Sequence, residues 1–193
     1  LADCFSFLNS DRKLILVTGH RRENFGQGFE NFCQAILSVL EQNPDCEVCY
    51  PVHLNPNVKE PVNRILKNLN KGLSSRIHLI DPLEYIPFVY LMNRSYLILT
   101  DSGGVQEEGP ALGKPVLVSR EVTERPEALT DDSVKLVGTH PNKIVSECNL
   151  LLRDSQEYQR RSQKVSPYGD GHAAERILKV LTAEAISSSV EAA

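Results

Sequence analysis

The sequence contains no apolar run long enough to cross a membrane. A membrane-spanning helix needs roughly 18 or more consecutive apolar residues, and no stretch of the 193 residues approaches that length. The first ten residues also lack the basic stretch followed by an apolar one that marks a secretory signal. The chain starts on Leu1 rather than on methionine, so we expect it to be a piece of a longer chain. We predict no contact with a membrane.

Basic residues do not outnumber acidic ones. The chain has 21 Lys and Arg against 25 Asp and Glu, which gives a net charge of −4. A nucleic-acid-binding domain would carry a basic face, so we predict no nucleic-acid partner, although a local basic patch can still hold a phosphate. Hydrophobic residues make up 41% and charged residues 24%, as in ordinary soluble globular proteins. The length fits one domain, which we predict to span residues 1–193.

Cysteine is scarce and its spacing is incomplete for metal binding. Cys46 and Cys49 form a CxxC pair, but no second pair completes a four-ligand zinc site. Both fall on a predicted strand, where positions three apart face opposite sides. We interpret them as structural or incidental thiols, with metal or redox work as the alternative, and a reducing cytoplasm is the natural compartment. The five cysteines are Cys4, Cys33, Cys46, Cys49 and Cys148.

Several catalytic signatures are absent. There is no GxxxxGK[ST] phosphate loop, and neither an HExxH motif nor an EF-hand loop, so we predict no metal. Gly26-Gln27-Gly28 is a broken dinucleotide fingerprint, separated from its strand by a long loop, so we predict no nicotinamide cofactor. Ser102 stands in Asp-Ser-Gly-Gly rather than in a G-x-S-x-G elbow, which weakens a hydrolase interpretation.

Six short β-rich runs alternate with helical stretches. The first run is apolar on both faces, as expected for a strand inside a sheet. Strands separated by helices build parallel sheets through βαβ units, so we predict an α/β fold with a doubly wound parallel sheet. The predicted strands are Leu14–Thr18, Glu47–Val52, Ile77–Ile80, Tyr96–Thr100, Pro115–Val118 and Val134–Val137. The predicted helices are about Phe29–Gln42, Val58–Asn70, Glu84–Asn93, Gly104–Leu112, Asn142–Arg153, Ser155–Lys164 and Ala173–Glu184.

The segment from Thr100 to Glu108 follows the fourth strand and opens a helix. Ligands of such sheets bind beyond the carboxyl ends of the strands. Gly103 and Gly104 would let main-chain N–H groups approach a phosphate, which the helix N-terminus also favours. Ser102 can cap the helix or donate its hydroxyl to a phosphate oxygen. Glu108 lies where its carboxylate could accept hydrogen bonds from both ribose hydroxyls. The alternative is a tight turn with a cap.

A second candidate loop, from Gly19 to Asn24, follows the first strand. His20, Arg21 and Arg22 would form a cationic cluster suited to phosphates, because Arg binds them in bidentate geometry. The alternative is a solvated charged loop in which Glu23 pairs locally. We favour the functional interpretation, since functional loops of this fold occupy this place.

Three further loops at the same sheet edge carry candidates. His53 follows the second strand, where it could be structural or touch a ligand. Tyr85 and Phe88 follow the third strand and are most simply core residues, although an aromatic there could wall a flat base. Arg125, in the polar loop after the fifth strand, offers a second cation.

Taken together, these motifs resemble the non-hydrolysing UDP-N-acetylglucosamine 2-epimerases, in particular their C-terminal half. The resemblance runs in order from about Lys13 to Leu181 and is far more specific than any single motif. Its blocks read GHRREN, PVHLNPNV, DPLEYIPF, LTDSGGVQEE, LGKPVLV, TERPEAL and SPYGDG.

The resemblance implies the second Rossmann-like domain of a GT-B type two-domain enzyme, with this half holding UDP. Ser102, Gly103 and Gly104 would then bind the diphosphate and Glu108 the ribose. Arg125 would add a phosphate-side contact. Phe88 would contact the uracil side, with the main chain at Leu83, where some members carry glutamine.

The resemblance also implies a reaction and partners. His20 would assist the departure of UDP, and re-addition of UDP with inverted configuration at C2 would interconvert UDP-GlcNAc and UDP-ManNAc in cell-envelope polysaccharide biosynthesis. The proton-moving carboxylates would belong to an N-terminal Rossmann-like domain, and the full enzyme would be a homodimer. Arg21 and His53 match positions of an activator site for a second UDP-GlcNAc. The alternatives are a GT-B glycosyltransferase, a hydrolysing epimerase, and a nucleotide-binding module without catalysis.

Overall fold

Six parallel strands form one sheet at the centre of the computed structural model, which describes residues 3–9, 11–130, 132–166 and 168–191. The strand order is β3-β2-β1-β4-β5-β6, so the chain reverses direction along the sheet between β1 and β4. This order is that of a doubly wound Rossmann-like sheet. The strands are β1 Lys13–Thr18, β2 Cys46–Pro51, β3 Ile77–Ile80, β4 Leu97–Thr100, β5 Val116–Val118 and β6 Val134–Leu136.

The central strands are apolar because neighbours cover both of their edges and helices cover both of their faces. In β1, Leu16 is aligned with Cys49 of β2 on one side and with Ile98 of β4 on the other. The side chains of β1 after Lys13 are all buried, which fits the continuous apolar run. The edge strands β3 and β6 are only half-buried over most of their length.

Two apolar clusters lie on the two faces of the sheet. The first joins β1 and β2 side chains to α1 and α6, through residues such as Phe32 and Ile144. The second joins the opposite faces of the strands to α4 and α5, through Met92 and Val105. The helices are α1 Gln27–Gln42, α2 Pro56–Val62, α3 Lys71–Ser74, α4 Tyr85–Arg94, α5 Gly103–Ala111, α6 Pro141–Arg153, α7 Ser155–Arg161 and α8 Ala173–Glu191.

All six predicted strands are confirmed to within one residue at each end. One predicted helix is wrong: over Val58–Asn70 the structure has the end of α2 and a π-helical turn at Asn63–Lys67, and α3 begins only at Lys71. Pro61 lies inside α2 and has no N–H to donate to the preceding turn. The Asn70 side chain then accepts a hydrogen bond from the Leu73 amide and starts α3 as a separate turn. The closing helix extends beyond the predicted Glu184 to Glu191.

The CxxC pair faces opposite sides of the sheet, as predicted. Cys46 belongs to the first apolar cluster and Cys49 to the second. Burial raises the pKa of Cys46 to about 11 and that of Cys49 to about 12, so both remain protonated thiols. Within the described ranges, no group of three or more His, Cys, Asp or Glu side chains is arranged to hold a metal ion. The helices among these residues include none long and apolar enough to span a membrane.

Candidate functional site

The loops after the first four strands meet around a pocket of about 190 Å³ at the carboxyl edge of the sheet. The pocket lies where the strand order reverses, between β1 and β4, the usual ligand position in this fold. Five of the predicted site residues line it, together with Thr18, Gly19, Pro51, Pro82 and Val105. These five are His20, His53, Leu83, Phe88 and Ser102.

The N-terminus of α5 opens at this pocket. Ser102 is the residue before the first turn, but its side chain makes no capping hydrogen bond, so the interpretation of its hydroxyl as a cap is wrong. The Ser102 amide instead donates to Oγ1 of Thr100 over 2.9 Å, and Thr100 shares a 2.5 Å hydrogen bond with Thr18. The Ser102 carbonyl accepts from the Gln106 side chain. This leaves the Ser102 hydroxyl for a ligand.

Two arginines approach the backbone of this helix terminus. A Cβ built on Gly103 would lie 3.6 Å from Nη2 of Arg21 and 3.9 Å from Nη2 of Arg125. Nε of Arg125 donates to Glu107, which orients the rest of its guanidinium group. Arg21 also lies 3.9 Å from Glu124. The structure therefore brings two predicted cations to the helix end that favours an anion, whereas the side chain of Arg22 is exposed.

Asp101 fixes the start of the loop that carries His20. Its carboxylate is fully buried, and Oδ2 accepts hydrogen bonds from the amides of His20 and Arg21, at 2.9 Å and 2.8 Å. Asp101 is not among the site residues that the sequence predicts. The available signal was its position, directly after a buried strand at the sheet edge where ligands bind.

The rings of His20 and His53 are stacked, with centroids 5.2 Å apart and planes 13° from parallel. Nδ1 of His53 accepts a hydrogen bond from the Asn55 amide over 3.1 Å. A neutral His53 therefore carries its proton on Nε2. Both side chains remain partly open to solvent at the mouth of the pocket.

Glu108 lies one and a half turns into α5, where the side chain of Tyr85 forms a hydrogen bond with it. The hydroxyl of Tyr85 donates to Oε2 of Glu108 over 3.1 Å, and this hydrogen bond raises the pKa of Tyr85. Tyr85 is 66% exposed, so its interpretation as a core residue is wrong. Phe88 is half-buried against the second apolar cluster and also lines the pocket, and Leu83 does the same.

Arg120, which the sequence analysis did not single out, joins two loops of the site. It is only 4% exposed. Its guanidinium donates to Glu23 in the loop after β1 and to Glu124 in the loop after β5, both at 2.6 Å. These hydrogen bonds from Arg120 lower the pKa of Glu124 to about 2. Glu23 thus pairs with a residue far along the chain, and the expectation that it pairs locally is wrong.

Several known proteins are similar to this chain. The family model described as UDP-N-acetylglucosamine 2-epimerase matches residues 5–182. The UDP-N-acetylglucosamine 2-epimerase of Yersinia pestis is 58% identical over 181 residues, covering 94% of this chain and 47% of the relative. Among solved structures, the UDP-GlcNAc 2-epimerase from Neisseria meningitidis bound to UDP-GlcNAc is 43% identical with a TM-score of 0.87, covering 94% of this chain and 47% of that one. An S. aureus MnaA-UDP co-structure is 41% identical with a TM-score of 0.81, covering 92% and 45%.

These matches confirm the predicted fold class, a Rossmann-like domain of the GT-B type with a doubly wound parallel sheet. The chain spans about half the length of the relatives that it matches. Of the motif blocks that carried the resemblance, only Pro167 lies outside the described residues. With a family model that covers nearly all of its residues, the chain belongs to the UDP-N-acetylglucosamine 2-epimerase family.

Proposed function

We propose that this chain is the UDP-holding domain, over residues 1–193, of an enzyme that interconverts UDP-GlcNAc and UDP-ManNAc. One observation carries the proposal. The N-terminus of α5 opens at the switch point of the sheet, and the guanidinium groups of Arg21 and Arg125 both approach Gly103. Positive charge from three sources thus converges on one place, which suits a diphosphate.

UDP fits this site with its diphosphate at the helix terminus. Phosphate oxygens would accept hydrogen bonds from the amides of Gly103 and Gly104 and from the hydroxyl of Ser102. The guanidinium group of Arg125 would contribute a further positive charge beside them. Glu108 would accept hydrogen bonds from the ribose hydroxyls. From the helix terminus to Glu108 the chain rises by about 9 Å, at 1.5 Å per residue.

The uracil would lie toward the loop after β3. Phe88 offers an aromatic surface on the wall of the pocket, and the main chain at Leu83 offers hydrogen-bonding groups next to it. Leu83 itself can contribute only apolar contact through its side chain. Base recognition here therefore rests on backbone groups and on Phe88.

The chemistry requires a leaving group that can carry negative charge. In elimination a base removes the C2 proton and UDP departs from C1. UDP then adds back at C1 while a proton returns to C2, and the face of C2 that is protonated decides which epimer forms. Arginines and a helix terminus that already face the diphosphate stabilise this charge without further reorganisation. His20, at the pocket wall next to them, would assist UDP departure.

The proposal extends to partners and compartment. An N-terminal Rossmann-like domain would supply the acid and base and close over the sugar, and the full enzyme would be a cytoplasmic homodimer. The ring of His53 stacks on that of His20, which Arg21 directly follows, and Arg21 and His53 would bind a second UDP-GlcNAc as activator. UDP-GlcNAc is a substrate in this scheme, and no cofactor takes part.

Product analysis of the longer enzyme tests the function. Incubated with UDP-GlcNAc and no acceptor, it should form UDP-ManNAc until both sugars are at equilibrium. Free ManNAc with UDP would instead mean a hydrolysing epimerase, and no product without an acceptor would point to a glycosyltransferase. Calorimetry of this chain with UDP tests the binding part separately, and absence of binding would contradict it.

A further inference from the structure

The carboxylate of Asp101 is buried with one oxygen occupied and the other free. Oδ2 accepts two backbone hydrogen bonds, from His20 and Arg21. Oδ1 is also buried, and among the described residues it has no hydrogen-bond partner. Buried carboxylate oxygens are nearly always hydrogen-bonded, so an open acceptor at a ligand site indicates a donor that can reach it.

The ring of His20 is a candidate donor. Its Nδ1 lies 3.8 Å from Oδ1 of Asp101, about 1 Å beyond hydrogen-bond distance. The His20 side chain is 44% exposed, so solvent rather than packing surrounds much of it and a small ring rotation can close the gap. The stacked ring of His53 covers one face of the His20 ring.

Other polar groups near the carboxylate already form hydrogen bonds with other partners, or they face the ligand site. The hydroxyl of Tyr50 donates to the Gly19 carbonyl over 3.0 Å. The guanidinium of Arg21 points toward Gly103 and Glu124. Nδ1 of His53 accepts from the Asn55 amide. His20 is therefore the group whose protonation pattern Oδ1 can determine.

We propose that Asp101 is a positioning residue for His20: Oδ1 holds the proton of the neutral imidazole on Nδ1 and fixes the orientation of the ring. An ionised carboxylate accepts but never donates hydrogen bonds, so a neutral ring beside it must present Nδ1–H. Nε2 is then the ring atom that faces the pocket, and when the ring is protonated its Nε2–H can donate toward a phosphate. The role of His20 toward UDP rests on the proposed function, whereas the tautomer does not.

Nitrogen-15 NMR of this chain tests the proposal directly, since the two ring nitrogens differ in chemical shift with the position of the proton. Spectra are recorded at about pH 9, well above the ordinary pKa of histidine, so that the rings are neutral. A His20→Gln variant identifies the His20 signals. The expected result is Nδ1–H for His20 and Nε2–H for His53.

His78 provides an internal control away from the site. Its Nε2 lies 3.2 Å from Oε2 of the buried Glu47, so a neutral His78 should carry its proton on Nε2. A Glu47→Gln variant should leave the His20 signals unchanged. Observing Nε2–H on His20 in the wild-type chain would overturn the proposal without any variant having to fold.

Asp101→Asn provides the matched test. The two backbone amides of His20 and Arg21 orient the new side chain with its oxygen toward them, which turns its NH₂ group toward Nδ1 of His20. The His20 proton should then move from Nδ1 to Nε2. An unchanged tautomer in a folded Asp101→Asn chain would also overturn the proposal. Calorimetry with UDP on the wild-type chain separates this proposal from the proposed function. If the chain does not bind UDP, the proposed function is contradicted, but the NMR result on the His20 tautomer is unaffected.

Discussion

Glu108 is the residue whose contribution to binding is easiest to isolate. Its carboxylate is held by Tyr85 at 3.1 Å, on the turn of α5 after the proposed phosphate site. Hydrogen bonds to a charged group contribute about 1.5–3 kcal/mol each. Two such hydrogen bonds would contribute about 3–6 kcal/mol, so we expect Glu108→Ala to weaken UDP binding by at least about 100-fold and to leave pyrophosphate binding almost unchanged.

Calorimetry with both ligands measures this difference. Tyr85→Phe, which removes only the hydroxyl that holds Glu108, should weaken UDP binding less and in the same direction. Glu60→Ala, at an exposed position of α2, serves as the control and should bind both ligands as the wild-type chain does. Equal losses for UDP and pyrophosphate in Glu108→Ala would reject the ribose contact.

The ion pairs of Arg120 predict a pH dependence of stability. Hydrogen bonds from Arg120 lower the pKa of Glu124 from 4.5 to about 2 in the folded chain. Because the folded pKa lies below the unfolded one, the pair stabilises the fold fully above about pH 4.5 and loses this contribution as the pH falls toward 2. We expect Glu124→Gln to be less stable than the wild-type chain at pH 7, with the difference shrinking below pH 4.5.

Urea unfolding at several pH values between 7 and about 3 measures the two free energies of unfolding. A Glu60→Gln variant should match the wild-type chain throughout, because Glu60 is exposed and lies on α2, far along the chain from Arg120. If the deficit of Glu124→Gln stays constant down to pH 3, the Arg120 pair is not its origin.

At the residue scale, the sequence predicts which loops meet around the candidate pocket but not how their side chains are held. Residues at strand ends, such as His20 and Ser102, could be identified because the carboxyl edge of a parallel sheet is a known ligand position. Asp101, Arg120 and Tyr85 were missed because their partners come from loops that are distant in sequence. Arg120 and Glu23, for example, lie 97 positions apart, and no local pattern signals such a contact.

At the level of single elements, α5 combines close packing at its far end with an open N-terminus. A Cβ on Gly109 would come within 2.5 Å of Cγ2 of Val116, whereas a Cβ on Gly104 would meet only Oε1 of Glu108, at 3.7 Å. We expect Gly109→Ala to destabilise the fold by about 1–3 kcal/mol through overpacking. Gly104→Ala should be neutral or stabilise it by up to about 1 kcal/mol.

Chemical denaturation of the two variants measures both free energies, and the same proteins then serve for UDP titration. Gly104→Ala should bind UDP more weakly than the wild-type chain although it is folded, because the new methyl group lies where the phosphate is proposed to approach the backbone. A Gly109→Ala chain as stable as Gly104→Ala would show that the α5–β5 contact relaxes easily.

The elements themselves were predictable in proportion to the strength of their local patterns. β1 and β4 are apolar on both faces because two helical layers cover them, and this produces a continuous run that is easily recognised. The stretch Val58–Asn70 has helical spacing, and its division follows from one missing N–H at Pro61 and from the independent cap at Asn70. Tertiary contacts decide between a continuous helix and one that is broken in this way, and the spacing of apolar residues is the same in both.

At the scale of the whole molecule, three carboxylates around the pocket form ion pairs that hold its loops. Glu23 and Glu124 pair with Arg120, and Glu107 pairs with Arg125. The hydrogen bond from Arg120 lowers the pKa of Glu124 to about 2, which makes Glu124 a poor proton donor near neutral pH. On the proposed function, the chain would provide charge to hold a diphosphate, whereas groups from elsewhere would move the proton at C2 of the sugar.

We therefore predict that this chain alone binds UDP but does not epimerise UDP-GlcNAc. An elimination intermediate also needs a cleft closed to water, and this pocket lies open at the sheet edge, with His53 exposed at its mouth. Incubation of the pure chain with UDP-GlcNAc in D₂O, followed by proton NMR of the C2 position, measures the exchange directly. Addition of a separately produced N-terminal half from a relative should restore it. Deuterium incorporation at C2 that co-purifies with this chain alone would place the acid–base groups here and refute the proposed division of labour between two domains.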